Sequence, residues 1–430
     1  MNQSQSIKYP AFRWFVLLMI VIAGVSSGLM ATSFPPLIGE IAKSLGIDQG
    51  TASFDFISLN FAGTAASMLI SGILIDRLGM LKVVLWSILL MALSQASLIF
   101  VGGSVVAVSA SRVIIGLAIA PCLIATAPML QQWFPRNEMG IASAIQTVSM
   151  SIGAMTGFIA SPYASALLGN WVYGQACLAV VPFIGFFIAL VVFIYSRKHQ
   201  PPVVFIEKAP DAGSGKKSSL IMQLLGNPVF WAGLCFMCGS QWVDKISNSL
   251  IPGYLAADPP IGIGYGSLTA GKLMSLVSFA GIFAALLGGI MLDKVFGGKN
   301  RTLIILGSFT YVIAFLGIRL FFVYDNTSVL VVFLLLAGLG TPLTAPTLVG
   351  YVAKSFPPTL AGTVLGLWQF CGIIIGTLAV MLGSLLLKVT GSHNLFLTIQ
   401  VVVAIITVAC SFLLKTPPEE KVKAESEILN

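Results

Sequence analysis

Gly72-Ile73-Leu74-Ile75-Asp76-Arg77-Leu78-Gly79-Met80-Leu81-Lys82 closes one long apolar run and precedes another. A near copy, Gly289-Ile290-Met291-Leu292-Asp293-Lys294-Val295-Phe296-Gly297-Gly298-Lys299, stands between two later runs. Charged turns written twice between hydrophobic segments point to a duplicated unit of paired helices. An offset of 217 superposes Trp14 on Trp231, Pro35 on Pro252, Gly72 on Gly289 and Asp76 on Asp293. At an offset of 222, Gly116, Phe134, Pro135 and Gly140 match Gly338, Phe356, Pro357 and Gly362. The five extra residues fit the longer loop near Gly297 to Arg301.

The composition fixes the medium. With 57% hydrophobic and 9% charged residues and a mean hydropathy of +0.97, the chain has more apolar surface than a soluble domain could bury and too few charges to solvate its exterior. A helix needs about 20 apolar residues to span a bilayer, so the chain has room for roughly a dozen spans and no large soluble domain. The net charge of +8 follows topology, not nucleic-acid binding, because the cations flank the apolar runs on alternate sides. All six cysteines lie within apolar runs, where a small hydrophobe is the usual role. Cys235 and Cys238 form C-x-x-C, but without a second pair or a nearby His no metal site is expected.

Six spans are expected at 14–36, 53–75, 83–102, 105–131, 139–167 and 171–196, and six more at 229–255, 268–292, 302–323, 329–351, 361–387 and 395–414. The first run is too long for a signal-peptide core and lacks a small-residue cleavage site. The domains expected are 1–196, a first six-helix bundle; 197–227, a polar linker; 228–415, a second bundle; and 416–430, a charged tail. Gly213-Ser214-Gly215-Lys216-Lys217 in the linker fails the phosphate-loop pattern, and Gly262 to Gly266 follows a membrane span, not a strand. With the amino terminus in the cytoplasm, only Lys43, Arg112, Lys245, Lys272, Arg319 and Lys388 of the 23 cations fall outside the cytoplasmic side. Both termini and the linker are therefore expected there.

The order G-x-L-x-D-R-x-G-x-x-K at 72–82 resembles the signature between helices 2 and 3 of the major facilitator superfamily of transporters. The stretch at 289–299 resembles its weaker echo between helices 8 and 9. The resemblance covers nearly the whole chain except linker and tail. It implies an all-α integral membrane fold of twelve transmembrane helices in two pseudo-symmetric six-helix bundles, with helices 1, 4, 7 and 10 lining a central cavity. It also implies that the loop of Gly72, Asp76, Arg77, Gly79 and Lys82, and its echo of Gly289, Asp293 and Lys294, lock the cytoplasmic side, the acid facing helix 11 or 5. The glycines would permit close helix contact. The alternative is a loop whose cations serve only topology.

Arg112, in Ser111-Arg112-Val113-Ile114-Ile115-Gly116, resembles the family's R-x-x-x-G-x-G segment, with Ala118 replacing the second glycine. An arginine inside a span costs about 2.5 to 3.5 kcal/mol on insertion scales, so a partner is expected: a structural ion pair, or a direct role in proton coupling or substrate binding. Span five, with Gly153 and Gly157, has the texture of a helix interface but lacks the proline of the family's drug and antiporter branches.

The segment most informative for function is Gly239-Ser240-Gln241-Trp242-Val243-Asp244-Lys245-Ile246-Ser247-Asn248. Gln241, Asp244, Lys245 and Asn248 follow i, i+3, i+4, i+7 spacing and form one polar stripe. Neighbouring residues point about 100° apart, so Asp244 and Lys245 are not expected to neutralise each other fully. The 217 offset sets them against Ser27 and Gly28, confining charge to one repeat. A buried pair with Arg112 or Lys272 is the structural alternative. Further cavity candidates are Ser26, Ser27, Met30, Asn60, Gln146, Trp242, Thr344, Trp368 and Gln369. Asp55 and Lys272, which coincide at the same offset, are either an outer-gate pair or simply solvated.

The expectation is a secondary transporter, not an enzyme, that moves a small organic anion or zwitterion. Asp244 would take the coupling proton and Lys245 would contact an acidic group of the substrate. No cofactor, metal or nucleic acid is expected; the partners are the solute, a proton or other ion, and the bilayer. The chain is expected to be a monomer in a bacterial inner membrane. A proton-coupled multidrug exporter and a non-transporting receptor or scaffold are the alternatives. His199 and His393 lie on opposite sides of the membrane core and cannot form one catalytic site.

Overall fold

The computed structural model describes residues 10–135, 138–196, 224–320 and 326–416. The chain divides into two compact units, Met1–Ile206 with Tyr265–Ser275, and Glu207–Gly264 with Leu276–Asn430. The described regular structure is helical: α1 is Arg13–Thr32, α2 Leu59–Leu78, α3 Met80–Ala96, α4 Val105–Trp133, α5 Met139–Leu168 and α6 Val180–Ser196. After the linker come α7 at Pro228–Ser249, α8 at Gly266–Ile290, α9 at Asn300–Arg319, α10 at Thr327–Ser355, α11 at Pro358–Thr390 and α12 at Asn394–Leu413.

Among the described residues, eleven segments are long and apolar enough to cross a membrane. Helix α7 falls outside that set because Gln241, Asp244, Lys245 and Asn248 interrupt its apolar run. The largest correction to the expected boundaries is at the first span, which continues past Pro36 to Leu45 through a 3-10 turn at Pro35–Leu37 and a short helix Ile38–Leu45. Starts are set by side-chain caps: Asn170, Asn227 and Asn326 accept hydrogen bonds from the backbone N–H groups of Val172, Val229 and Ser328. Large apolar side chains such as Phe100, Val106 and Leu167 face outward, as a lipid solvent requires.

Within each unit, helices meet through small residues. In α5, a Cβ at Gly153 would fall on the Val25 carbonyl of α1, and one at Gly28 would fall on the Met150 carbonyl. The small-residue texture of span five is therefore a close backbone crossing. The repeat is visible in matching contacts: a Cβ at Gly116 of α4 would strike the Asn60 carbonyl of α2, and one at Gly338 of α10 the Val277 carbonyl of α8. Gly116 and Gly338 are 222 apart and Asn60 and Val277 are 217 apart, the two offsets read from sequence.

His393 precedes α12 and is buried. Its Nδ1 donates to the Ile261 carbonyl at 2.7 Å, and its ring packs on Tyr254 and Phe396. Burial lowers its pKa from the ordinary 6.5 to about 4. The unfolded chain therefore binds this proton more readily between those values. Stability from the group is complete above pH 6.5 and falls toward pH 4, by about 3 kcal/mol at most. Thermal unfolding of purified protein between pH 4 and 8 should show this loss, and His393→Gln should flatten it. An unchanged pH slope in the variant would remove His393 as its source.

Candidate functional site: the polar stripe of helix α7

Helix α7 packs on α11 and α12 within the C-terminal unit. Gly372 and Gly376 of α11 lack side chains where Gln241 and Lys245 of α7 pass over them. The stripe is thus pressed against a neighbour yet stays half-buried at Gln241, Asp244, Lys245 and Asn248. Asp244 Oδ2 lies 3.6 Å from Lys245 Nζ, both side chains being about a quarter exposed. Although the two positions point about 100° apart, the four-carbon lysine stem swings its ammonium back toward the carboxylate. Asn248 Nδ2 donates to Asp244 Oδ1 at 3.3 Å and to the Asp244 carbonyl at 3.0 Å. Gln241 Nε2 donates to Gln369 Oε1 of α11 at 3.3 Å. The Tyr311 hydroxyl of α9, bonded to Thr341 at 2.7 Å, lies within electrostatic range of Asp244, a neighbour the sequence pattern did not reveal.

This arrangement supplies one ion pair bracketed by carboxamides. An ammonium that holds its own carboxylate at 3.6 Å can exchange it for another anion, and amides can both donate to and accept from hydroxyl groups. Of the remaining cavity candidates in this unit, Trp242 is half-buried and Gln369 exposed. Trp368 instead belongs to the core, packed between Phe230 and Phe356, and its ring fills the space above Gly233. Thr344 is buried and donates to the Gly340 carbonyl.

In the N-terminal unit, Arg112 is 1% exposed and has no carboxylate among its partners. Its Nε donates to the Phe56 carbonyl at 3.0 Å, Nη2 donates to the Met30 carbonyl at 3.0 Å, and the guanidinium lies 4.1 Å from the Phe34 ring centre. The expected ion pair is therefore replaced by two carbonyl dipoles and an aromatic face. The Phe56 carbonyl comes from a π-helical stretch, Ser53–Ser58, that precedes α2. Asn60 fixes the arginine's own backbone by donating to the Arg112 carbonyl at 2.8 Å. Ser26, Ser27 and Met30 are buried in the bundle, Ser27 donating to the Ala23 carbonyl at 2.9 Å. Gln146 is half-buried and donates to Thr126.

The gating residues separate into groups. Gly79 has φ +85°, so it turns the chain from α2 into α3 in a conformation that side chains resist. Asp76, Arg77 and Lys82 are exposed, and a Cβ at Gly72 would meet no atom of its own bundle, unlike the close contact expected there. Of Gly289 and Asp293 the backbone alone is described, and Lys294 is exposed in a π-helical turn, Met291–Val295. The second loop is held by a residue the sequence reading counted only for topology: Lys354 of α10 donates to the Gly298 carbonyl at 2.8 Å.

Lys272 is exposed on α8. The start of α8 belongs to the first unit, within which Ser267 donates to Glu40 and a Cβ at Gly271 would strike the Phe158 carbonyl. A recess of about 900 Å³ beside them is lined by Glu40, Ser44, Trp171 and Ser267 among others. Its lining carries Glu40 and no lysine or arginine. Among the described residues no cluster of three metal-binding side chains occurs.

Paired six-helix repeats with apolar exteriors define a multi-pass integral membrane protein. The model of the Major Facilitator Superfamily matches residues 20–372 and 239–428, and the chain belongs to that family. A relative from Escherichia coli (strain K12), named "Probable galactarate/D-glucarate transporter GudP", is 24% identical over 421 residues, covering 89% of this chain and 88% of its own. The protein of the same name from Bacillus subtilis (strain 168) is 24% identical over 324 residues, 69% of this chain and 68% of its own. Among solved structures, a D-xylose-proton symporter superposes with a TM-score of 0.75 at 14% identity over 95% of this chain and 99% of that one. A bacterial homolog of the human lysosomal transporter Spinster, inward-facing and occupied, gives 0.71 at 13% identity over 95% and 97%. These likenesses share the fold.

Proposed function

We propose that this chain is a secondary active transporter that carries a small organic anion by alternating access, coupled to protons. The half-buried Asp244–Lys245 pair carries the proposal. While Asp244 is ionised it competes with an incoming carboxylate for Lys245; once it is protonated, the ammonium is left to the substrate. Proton and anion then favour each other's binding, which is the linkage a symporter needs. The groups facing α7 from its neighbours leave Asp244 as the acid of the stripe: α9 offers Tyr311, α11 offers Cys371 and Gln369, and α12 offers Thr407, Gln400 and Cys410.

The names of the relatives support an anionic solute. Gln241, Trp242, Asn248 and Gln369 would complete the binding surface. Arg112, closed off and bound to carbonyls, fixes the geometry of the N-terminal bundle. The loop of Asp76 and Arg77 and its echo at Lys294 would act as a latch, away from the chemistry. The protein would act as a monomer in a bacterial inner membrane, with both termini in the cytoplasm.

Counterflow exchange in proteoliposomes tests the class of solute. Vesicles preloaded with unlabelled sugar acid should accumulate the labelled acid transiently, without any ion gradient. Exchange of a lipophilic cation such as tetraphenylphosphonium, with none of any acid, would overturn the proposal in favour of a drug exporter.

A further inference from the structure

We infer that the substrate carries a single carboxylate on a hydroxylated chain, so that it differs in charge from the diacids named for the relatives; the inference rests on the anion-transport reading above. The first argument counts charge. Among the described residues, Arg112 and Lys245 are the cations that lie at least four residues inside a long helix without being exposed. Arg13, Arg301 and Lys354 sit at helix ends. Arg112 is 1% exposed, with Nε and Nη2 already committed to backbone carbonyls. Lys245 therefore remains as the cation that a solute can reach on the stripe. One carboxylate takes the place Asp244 occupies, and with the proton on Asp244 the local charge is unchanged. A second carboxylate would be desolvated with no cation to receive it.

The second argument concerns the amides. Gln241 and Gln369 meet at 3.3 Å from two helices, and Asn248 lies one turn beyond Lys245 on the same stripe. Each carboxamide has two donors and an acceptor with two lone pairs, of which the contacts described use a part. Vicinal hydroxyls, which donate and accept at adjacent carbons, match such a pair. An acid with a bare hydrocarbon chain would cover the amides and leave their remaining hydrogen bonds unmade. Gly372 and Gly376, which bring α7 close to α11, keep the pair in register.

Isothermal titration of the full-length purified protein tests both arguments with four probes. They are D-gluconate, a hydroxylated monoacid; galactarate, hydroxylated with a carboxylate at each end; hexanoate, a monoacid without hydroxyls; and tetraphenylphosphonium. D-Gluconate should bind at least about tenfold more tightly than galactarate and hexanoate, the scale of one lost hydrogen bond or more. Gln241→Leu and Gln369→Leu should each shrink the gluconate-to-hexanoate ratio while leaving the gluconate-to-galactarate ratio in place. Galactarate binding as tightly as gluconate, or hexanoate doing so, would overturn the inference while anion transport stands. If no acid binds and tetraphenylphosphonium does, anion transport itself fails and takes the inference with it. The wild-type panel decides these outcomes even if a glutamine variant does not fold.

Discussion

Asp244→Asn is expected to abolish proton-driven accumulation of substrate while sparing exchange. Asparagine keeps the size of the side chain and can still bond to Asn248, which now contacts Asp244 at 3.3 Å. It cannot take up a proton, and it no longer holds Lys245 in an ion pair. Lys245 then no longer has this carboxylate competing with the substrate, so binding no longer requires a proton on residue 244. For a one-to-one symport, each pH unit across the membrane sustains about tenfold accumulation, because 1.4 kcal/mol corresponds to a factor of ten. The variant should reach only the level set by equilibration, with counterflow retained. Accumulation at the parent level would remove Asp244 from the coupling step. The half-exposed setting of the pair matters here, since a sealed ion pair could not exchange partners during a transport cycle.

Gly153→Leu should severely damage the fold. The Cβ alone would fall on the Val25 carbonyl of α1, a backbone atom that cannot rotate away, and a leucine adds three further carbons. The α1–α5 crossing would have to open along its length, with losses of several kcal/mol expected from overpacking at a backbone contact. Thr32 would be displaced too, since it bridges the helices by donating to the Gly28 and Ala154 carbonyls. Loss of the monodisperse peak on size exclusion, or a large fall in melting temperature, is the expected readout. Gly72→Ala offers the contrast: its Cβ meets open space within the bundle, and alanine favours the helix by about 1 kcal/mol. A Gly153 variant as stable as the parent would contradict the close crossing.

The sequence was informative where physics acts locally. Apolar length against bilayer thickness predicts the helices, and the matched pairs Gly116 with Gly338 and Asn60 with Val277 show why the repeat survives: backbones touch at those points. Helix ends were less legible, because apolarity continues from α1 through Pro35 into the Ile38–Leu45 segment and no charge marks the break. Arg112 was recognisable as needing partners, but its partners are backbone carbonyls, Phe56 of the π-helical stretch and Met30 of α1, which leave no mark in residue type. The stripe on α7 was found by spacing. The reach of the Lys245 ammonium to Asp244 was not legible there, because a residue's helical angle fixes its Cβ, not the end of a lysine stem. The contact of Ser267 with Glu40 was not legible at all, since it joins a serine and a glutamate more than 200 positions apart that no pattern connects.

The coupling of anion to proton is tested most directly by proton flux. Proteoliposomes holding a trapped pH-sensitive dye, with no gradient imposed, would receive D-gluconate outside. Wild-type protein should acidify the lumen as each anion enters with its proton, Asp244→Asn should give no signal, and Lys245→Ala should neither move protons nor exchange the acid. Rapid gluconate uptake with no change in luminal pH, or equal acidification by wild type and Asp244→Asn, would contradict the account.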